Sequence, residues 1–549
     1  MDAALGGDRP ALTGRALSRS RANAVALAAL AAASAAFVAL FFAYPVLTVV
    51  VRGVGGVAGV LADPVHRGVV WFTFWQAAVS TLLTLAVGLP AAALVARLRP
   101  RARRLLRAGV TVGFVLPTVV VAGAFEAVFA RLGLRDGPVS LHHSVWAILL
   151  AHVFFNYAVV VRTVGSWWAG IDRRAGDAAA SLGATPTQVL AHVTWPMLRP
   201  AVLTAGAITF LFSFTSFGVI LILGGPARAT LETEIYRYAI TRIDFDTAAA
   251  LAAVQLAAVV ALVVTANRTQ RRQALVRRPA GLAAPVPGRR LAAVNAVVMA
   301  TLLGLPAAVL VEQSLRSGDG YSFANFAALA HRVTLLPTSA LGALGNSFVF
   351  AAVATALATA VGVAASLVVV RGRRAVASAF DLALTLPLGT SAVTVGMGML
   401  LTLGRLPFDL RTSRWIVPIA HALVGMPFVV RTLVPTLRSV DDRLRAAAAV
   451  LGASPRRVWR EVDMPIASRA VAVGAAFAAA VSLGEFGATA FLPRRPDTLT
   501  APLALYRLLG TPGEALRGQA MALAVVLMAA TALAVVVIEG MRRTDEGVF

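Results

Sequence analysis

The sequence predicts an all-α polytopic membrane protein of about 12 transmembrane helices, built as two parallel six-helix repeats. Three observations predict it. Of 549 residues, 58% are hydrophobic and only 14% charged, where soluble domains carry about 25% charged residues. Apolar runs recur at the length, about 20 residues, that crosses a hydrocarbon core of about 30 Å. And two distant polar stretches, "DAAASLGATPTQVLAHVTWPM" from Asp177 and "AAAAVLGASPRRVWREVDMPI" from Ala446, say nearly the same thing 269 positions apart.

In chain order the expected spans are 23–51, 68–96, 108–130, 145–166, 200–222 and 247–267, then 291–312, 345–370, 376–402, 414–436, 469–491 and 517–539. Helices are expected because lipid offers backbone groups no partner outside their own segment. The first run is too long for a signal peptide, whose apolar core is about 7–15 residues. The chain thus divides into a tail 1–22, a first half 23–267 with a polar loop 167–199, a linker 268–290, a second half 291–540 with a polar loop 437–468, and a tail 541–549.

The net charge of +25 reports orientation. All 50 basic residues are arginine, and they crowd short loops: Arg97, Arg99, Arg101, Arg103, Arg104 and Arg107 in one, Arg268, Arg271, Arg272, Arg277, Arg278, Arg289 and Arg290 in another. Arginine-rich short loops beside spans mark the cytoplasmic side, so both termini and the linker are expected there. A nucleic-acid surface would interleave aromatic residues for base stacking, and these loops do not. With no cysteine, disulfides and thiolate metal sites are excluded. With no lysine, the chain cannot build a Walker A phosphate loop. No metal cluster or nucleophile–base pair is apparent, so no catalytic residue, metal or cofactor is expected, and any ATP-driven work belongs to another subunit.

The repeat reaches beyond the two polar stretches. "LTLAVGLPAAALVAR" (83–97) is answered by "LATAVGVAASLVVVR" (357–371), "AHVFFNYAVVVRT" (151–163) by "AHALVGMPFVVRT" (420–432), and "SFTSFG" (213–218) by "SLGEFG" (482–487). Each half holds an even number of spans, so both sit the same way up, related by an axis along the membrane normal.

Each polar stretch follows the fourth span of its half, so both face the cytoplasm. Alanines favour a short helix, Gly183 and Gly452 suit the left-handed position that ends it, and Thr185–Pro186 and Ser454–Pro455 start a second helix. Pro196 and Pro465 are expected to stop that helix just before the next span. These elbows resemble the "EAA" signature of binding-protein-dependent ABC importer permeases, which forms the coupling helix seated in a groove of the cytoplasmic ATPase. The resemblance places Asp177, Ala178, Ala179, Gly183 and Pro196 at the signature positions of the first copy, and Ala446, Ala447, Ala448, Gly452 and Pro465 in the second. Asp177 keeps the acid at shorter reach, whereas Ala446 lacks it, leaving Asp441 or Asp442 to substitute. The doubled layout is similar to fused permeases for thiamine and ferric iron, and "LILGGPARATLETEIYR" (221–237) looks like the outer loop of the thiamine permeases. The resemblance implies a cytoplasmic ATPase dimer and an extracytoplasmic solute-binding protein as partners, the bacterial cytoplasmic membrane as location, and thiamine as cargo, with ferric iron or an oxyanion as alternatives.

Ionisable groups inside spans each need a reason, since insertion costs about 2.5–3.5 kcal/mol at mid-helix. Glu485 and its counterpart Ser216 are candidates for a pathway or gating role. Glu126 reads as interfacial, His152 and His421 as interhelical hydrogen bonders, and Arg162 and Arg431 as snorkelling groups or anchors of the elbows. A secondary transporter of the major facilitator type shares the twelve-span layout, but it would leave the paired elbows without a purpose.

Overall fold

The computed structural model describes residues 25, 27–135, 140–172, 174–273, 288–318, 320–404, 410, 413–492 and 495–541. The expected N-terminal tail, residues 274–287 of the linker and residues 542–549 lie outside them. Among the described residues, ten helices are long and apolar enough to cross a bilayer: Leu27–Val54, Pro64–Arg97, Val145–Ala169, Pro186–Phe214, Phe245–Ala266, Arg290–Leu315, Ala340–Arg371, Ile416–Ser439, Arg456–Gly484 and Glu514–Met541. Among the described residues the only β structure is a small hairpin, Arg316–Ser317 against Gly320–Tyr321, after the seventh span.

The third and ninth spans depart from the expectation of unbroken helices. The third, expected over 108–130, is two helices, Pro100–Val115 and Thr118–Arg131, bent by 96°. Pro117 has no N–H to continue the ladder and drives Leu116 into an extended conformation, ψ 141°. The ninth, expected over 376–402, divides into Arg374–Gly389 and Ala392–Thr402. There Ser391 caps the second piece, its Oγ accepting from the Val393 N–H at 3.0 Å. Pro117 and Ser391 are 274 positions apart, the displacement that also relates Arg97 to Arg371. The breaks therefore belong to the repeat.

Prolines mark the repeat in a second way. Ala39–Ala43, Leu190–Thr194, Ala300–Gly304 and Trp459–Asp463 are π turns, and each ends two residues before a proline: Pro45, Pro196, Pro306 and Pro465. A proline ring collides with the carbonyl one turn back and leaves it without a donor. Widening that turn to the π spacing relieves both.

The halves are closely packed and partly exchanged. A Cβ at Gly88 would come within 2.8 Å of Val160, and one at Gly362 within 2.8 Å of Val429. Val160 and Val429 are themselves 269 apart, so one small-residue contact joins the second span to the fourth and the eighth to the tenth. Val38, Phe42 and Val46 of the first span lie in one core with Phe350, Val395 and Met399 of the second half. Leu302 and Leu303 of the seventh span pack against the core that holds Phe125 and Phe154 of the first half.

Polar groups in the spans are used to join helices. His152 Nδ1 shares a hydrogen bond with Ser80 Oγ at 2.9 Å. His421 bonds Ser482 Oγ through Nδ1 and Thr489 Oγ1 through Nε2, each at 2.8 Å. Arg162 crosses between the halves to Glu539 at 2.8 Å, while Arg431 is exposed. Glu126 pairs with His142 Nδ1 at 3.0 Å, at the end of the third span away from the elbows.

Candidate functional site

The two elbows have the same backbone design. In the first, the helix Arg174–Ser181 ends as the Gly183 N–H donates to the Ala180 carbonyl and the Ala184 N–H to the Ala179 carbonyl, each at 3.0 Å. In the second, the helix Asp442–Val450 ends with Gly452 donating to Ala449 and Ala453 to Ala448, again at 3.0 Å. This pairing needs a left-handed residue at the glycine, and φ is +89° at Gly183 and +81° at Gly452. Space alone would admit a side chain at either, since a Cβ there meets nothing within 4 Å. The dihedral is what requires glycine.

The chain then turns into its next helix under a cap, and that helix is not stopped by its proline as expected. Pro186–Phe214 and Arg456–Gly484 each run on into the span, because the π turn before Pro196 or Pro465 absorbs the ring. The Thr185 N–H donates to Gln188 Oε1 at 2.8 Å while the Gln188 N–H donates back to Thr185 Oγ1 at 3.4 Å, a reciprocal capping box. Ser454 Oγ accepts from the Arg457 N–H at 3.3 Å.

Of the residues singled out in sequence, Asp177, Ala178, Gly183, Pro196, Ala446, Ala447, Gly452 and Pro465 are exposed, and Ala179 and Ala448 are half-buried. Beside them stand two residues that composition did not flag. Leu182 is 90% exposed and Leu451 is 87% exposed, with Val450 also at 87%. These are the three most exposed large apolar side chains among the described residues. Leu182 and Leu451 occupy equivalent positions just before the elbow glycines, a signal the repeat already carried. Exposed apolar groups concentrated at matched places mark an interaction surface.

The elbows differ in how they are held. In the second, buried Asp463 accepts from Arg445 Nε at 2.9 Å and also pairs with Arg371 at the end of the eighth span. Arg445 reaches on to Asp442 at 2.6 Å. Burial by itself would lower the Arg445 guanidinium pKa, but the bonds to Asp463 and Asp442 outweigh it and hold the group above its ordinary value. Asp441 is occupied in capping its helix, accepting from the Arg443 N–H at 2.9 Å. The first elbow has Gly176 where Arg445 stands and Thr194 where Asp463 stands.

A second cluster lies where the halves meet, away from the elbows. The helices Trp195–Phe214 and Met464–Gly484 both stop at equivalent breaks, and Ser216 and Glu485 lie in those breaks. The residues that follow them, Phe217 and Phe486, stack with centroids 5.3 Å apart and planes at 18°. Tyr236 packs on Phe217 at 5.3 Å and edge-on to Phe491 at 5.6 Å, and Tyr506 packs on Phe486 at 5.3 Å. Glu232 is fully buried alongside, accepting from Gln255 Nε2 at 2.5 Å and from Ser391 Oγ of the other half at 2.7 Å.

Glu485 is buried. Its carboxylate accepts from the Ala488 N–H at 2.9 Å, the Thr489 N–H at 3.1 Å and Thr489 Oγ1 at 2.7 Å, with His421 Nε2 3.5 Å away. It fixes the break that carries Phe486. Ser216 is half-buried in the matching break.

Comparison with known proteins agrees with this architecture. Residues 85–273 match the family described as binding-protein-dependent transport system inner membrane component. The thiamine transport system permease protein of Brucella abortus (strain 2308) is 28% identical over 485 residues, covering 84% of this chain and 87% of that protein. Its counterpart in Escherichia coli (strain K12) is 27% identical, covering 81% of this chain and 83% of that protein. The molybdenum transport system permease protein of Mycobacterium tuberculosis is 36% identical over 201 residues, 35% of this chain and 75% of that protein. Membership sets aside the major facilitator alternative. The chain belongs to the binding-protein-dependent transport system inner membrane components, as a multi-pass ABC importer permease whose two halves are fused into one polypeptide.

Proposed function

We propose that this chain is the translocating subunit of a thiamine importer in the bacterial cytoplasmic membrane, with its elbows and both termini on the cytoplasmic side. In this reading a separate ATPase dimer grips the two elbows, through the faces formed by Asp177, Ala178, Ala179 and Gly183 and by Ala446, Ala447, Ala448 and Gly452. Leu182 and Leu451 are the apolar anchors of that grip, and Pro196 and Pro465 set the angle at which each elbow joins its span. ATP hydrolysis belongs to the partner, since a phosphate loop needs a lysine and this chain has none. A solute-binding protein delivers cargo at the opposite face. Closure of the ATPase moves the halves as rigid bodies, and the nucleotide biases that equilibrium only by its differential affinity for the two arrangements.

The observation that carries the cargo is the chemistry between the halves. Five aromatic rings and the buried carboxylate of Glu232 gather there, while nearby Arg237 is paired with Glu234 at 2.6 Å. Ring faces attract cations, and the rings rather than Glu232 supply that attraction. Burial pushes the Glu232 carboxyl pKa up to about 7, and Gln255 and Ser391 already occupy its oxygens. That setting suits a cationic flat heterocycle such as thiamine better than an oxyanion. The similarity to thiamine permeases, which runs through both halves, supports the same cargo. Labelled-thiamine uptake into vesicles carrying the chain with its cognate ATPase and binding protein tests it. Thiamine is expected to accumulate; entry of ferric iron without thiamine would overturn the assignment.

A further inference from the structure

We infer that the first half holds a built water site between its second, fourth and fifth spans, at a place the second half fills with apolar side chains. Each of those three spans offers a polar pair one turn apart, and so on one face of its helix: Gln76 and Ser80, His152 and Asn156, Thr209 and Ser213. All six residues are at most 2% exposed. Three hydrogen bonds tie the pairs together. Ser80 Oγ and His152 Nδ1 share one at 2.9 Å, Gln76 Nε2 donates to the Ser213 carbonyl at 2.9 Å, and Asn156 Nδ2 donates to Ser213 Oγ at 3.2 Å.

Those bonds leave four atoms over. Gln76 Oε1, Asn156 Oδ1, Thr209 Oγ1 and His152 Nε2 are buried with no hydrogen-bond partner among the described residues. Turning the Gln76 amide round would set its oxygen against the Thr73 and Ser213 carbonyls, and turning Asn156 would only leave its nitrogen over instead. A buried polar atom without a partner forfeits its hydration with no return. Four of them in one three-helix cluster, two being amide oxygens beside Ser213, describe the lining of a site. The six residues include no carboxylate to balance a cation. A small neutral ligand that both donates and accepts hydrogen bonds fits them, and that ligand is water.

The repeat supplies the control. By the displacements of 274 and 269 positions that relate the halves, Gln76, Ser80, Asn156 and Thr209 correspond to Phe350, Ala354, Gly425 and Ala478. Phe350 is wholly buried, and a Cβ at Gly425 would lie 3.0 Å from the Ala478 Cβ. The tenth and eleventh spans thus touch directly where the first half interposes Asn156 and Thr209. His421, the counterpart of His152, has both ring nitrogens occupied, by Ser482 and Thr489. Ile220 stands where Thr489 does, so His152 Nε2 has no such hydroxyl to meet. Bound water therefore gives the first half an exchangeable polar seam, in which three spans can trade water for side-chain partners as they shift.

The experiment is a structure of the chain with its ATPase, at a resolution that shows ordered water. Solvent density is expected about 2.7–3.2 Å from at least two of Gln76 Oε1, Asn156 Oδ1 and Thr209 Oγ1, and none beside Phe350, Gly425 and Ala478. Side chains closing directly onto one another, or a peak whose height follows the sodium concentration, would overturn the site. Thr209→Val gives a second readout, since it nearly keeps the shape and removes only an oxygen that bonds no protein group. A lower melting temperature than wild type is expected, because bound water loses a partner. A dry cluster would be relieved by the same change, so an equal or higher melting temperature overturns the proposal. Neither readout depends on the cargo or on which face is cytoplasmic, so failure here is distinct from failure of the thiamine assignment.

Discussion

Arg445, in the second elbow, donates its Nε to Oδ1 of Asp463 at 2.9 Å, and Asp463 is wholly buried at the π turn that leads into the eleventh span. Arg371 holds the other carboxylate oxygen from the end of the eighth span. The second elbow is thus braced to two spans, while Gly176 and Thr194 stand at the corresponding places of the first. Removing one partner of a buried ion pair costs about 3–5 kcal/mol, an upper bound here because Arg371 is 40% exposed. Asp463→Asn is expected to lower uptake per ATP hydrolysed and the melting temperature, and Thr194→Ala to leave both near wild type. Equal effects of the two would contradict the asymmetric bracing.

The elbow glycines make a graded prediction. At φ +89° and +81° an alanine pays about 1–2 kcal/mol of backbone strain, whereas asparagine tolerates the left-handed region better. Affinity for the ATPase, measured by titration of detergent-solubilised protein, should fall in the order Gly, Asn, Ala at both 183 and 452. One kcal/mol is about a fivefold change in affinity. Indifference to the substitution would show that elbow shape does not set binding.

Leu182→Ser and Leu451→Ser separate docking from folding. Both side chains are exposed, so intrinsic stability should shift by no more than about 0.5 kcal/mol. Burial of a leucine at an interface is worth about 1.5–3 kcal/mol, so ATPase binding should weaken clearly. A melting shift with unchanged binding would place these leucines outside the interface.

Arg162 and Glu539 join the halves at 2.8 Å, each about a tenth exposed. Glu539→Gln deprives Arg162 of that acid, so the single variant is expected to melt lower than the double variant Arg162→Gln/Glu539→Gln. Thermal unfolding of the three proteins checks this, and strictly additive losses would deny the coupling.

Much of the elbow geometry was legible in sequence because it is local. Gly183 with Thr185, and Gly452 with Ser454, write a helix stop and a helix start within a few residues, and the repeat doubles the message. The broken spans were less legible. Pro117 is visible, but the break at Thr390–Ser391 comes after Pro387 rather than at a proline, and apolar composition alone reads through it. Long-range partners were the least legible. Asp463 meets Arg371 across 92 positions, and Phe217 meets Phe486 only because the fold brings two copies of one text to a common axis. Glu485 stands out in sequence as a candidate for a pathway or gating role, but the local bonds of its oxygens to Ala488 and Thr489 could not be read from its position near a span end.

The central claim is that a separate ATPase drives this chain through its elbows. Its most direct test is transport by reconstituted vesicles containing the chain alone, or the chain with its ATPase and binding protein, each with and without ATP. Labelled cargo is expected to accumulate only in the complete system with ATP, and to stop when vanadate traps the nucleotide. Accumulation by the chain alone, driven by an ion gradient, would contradict the account.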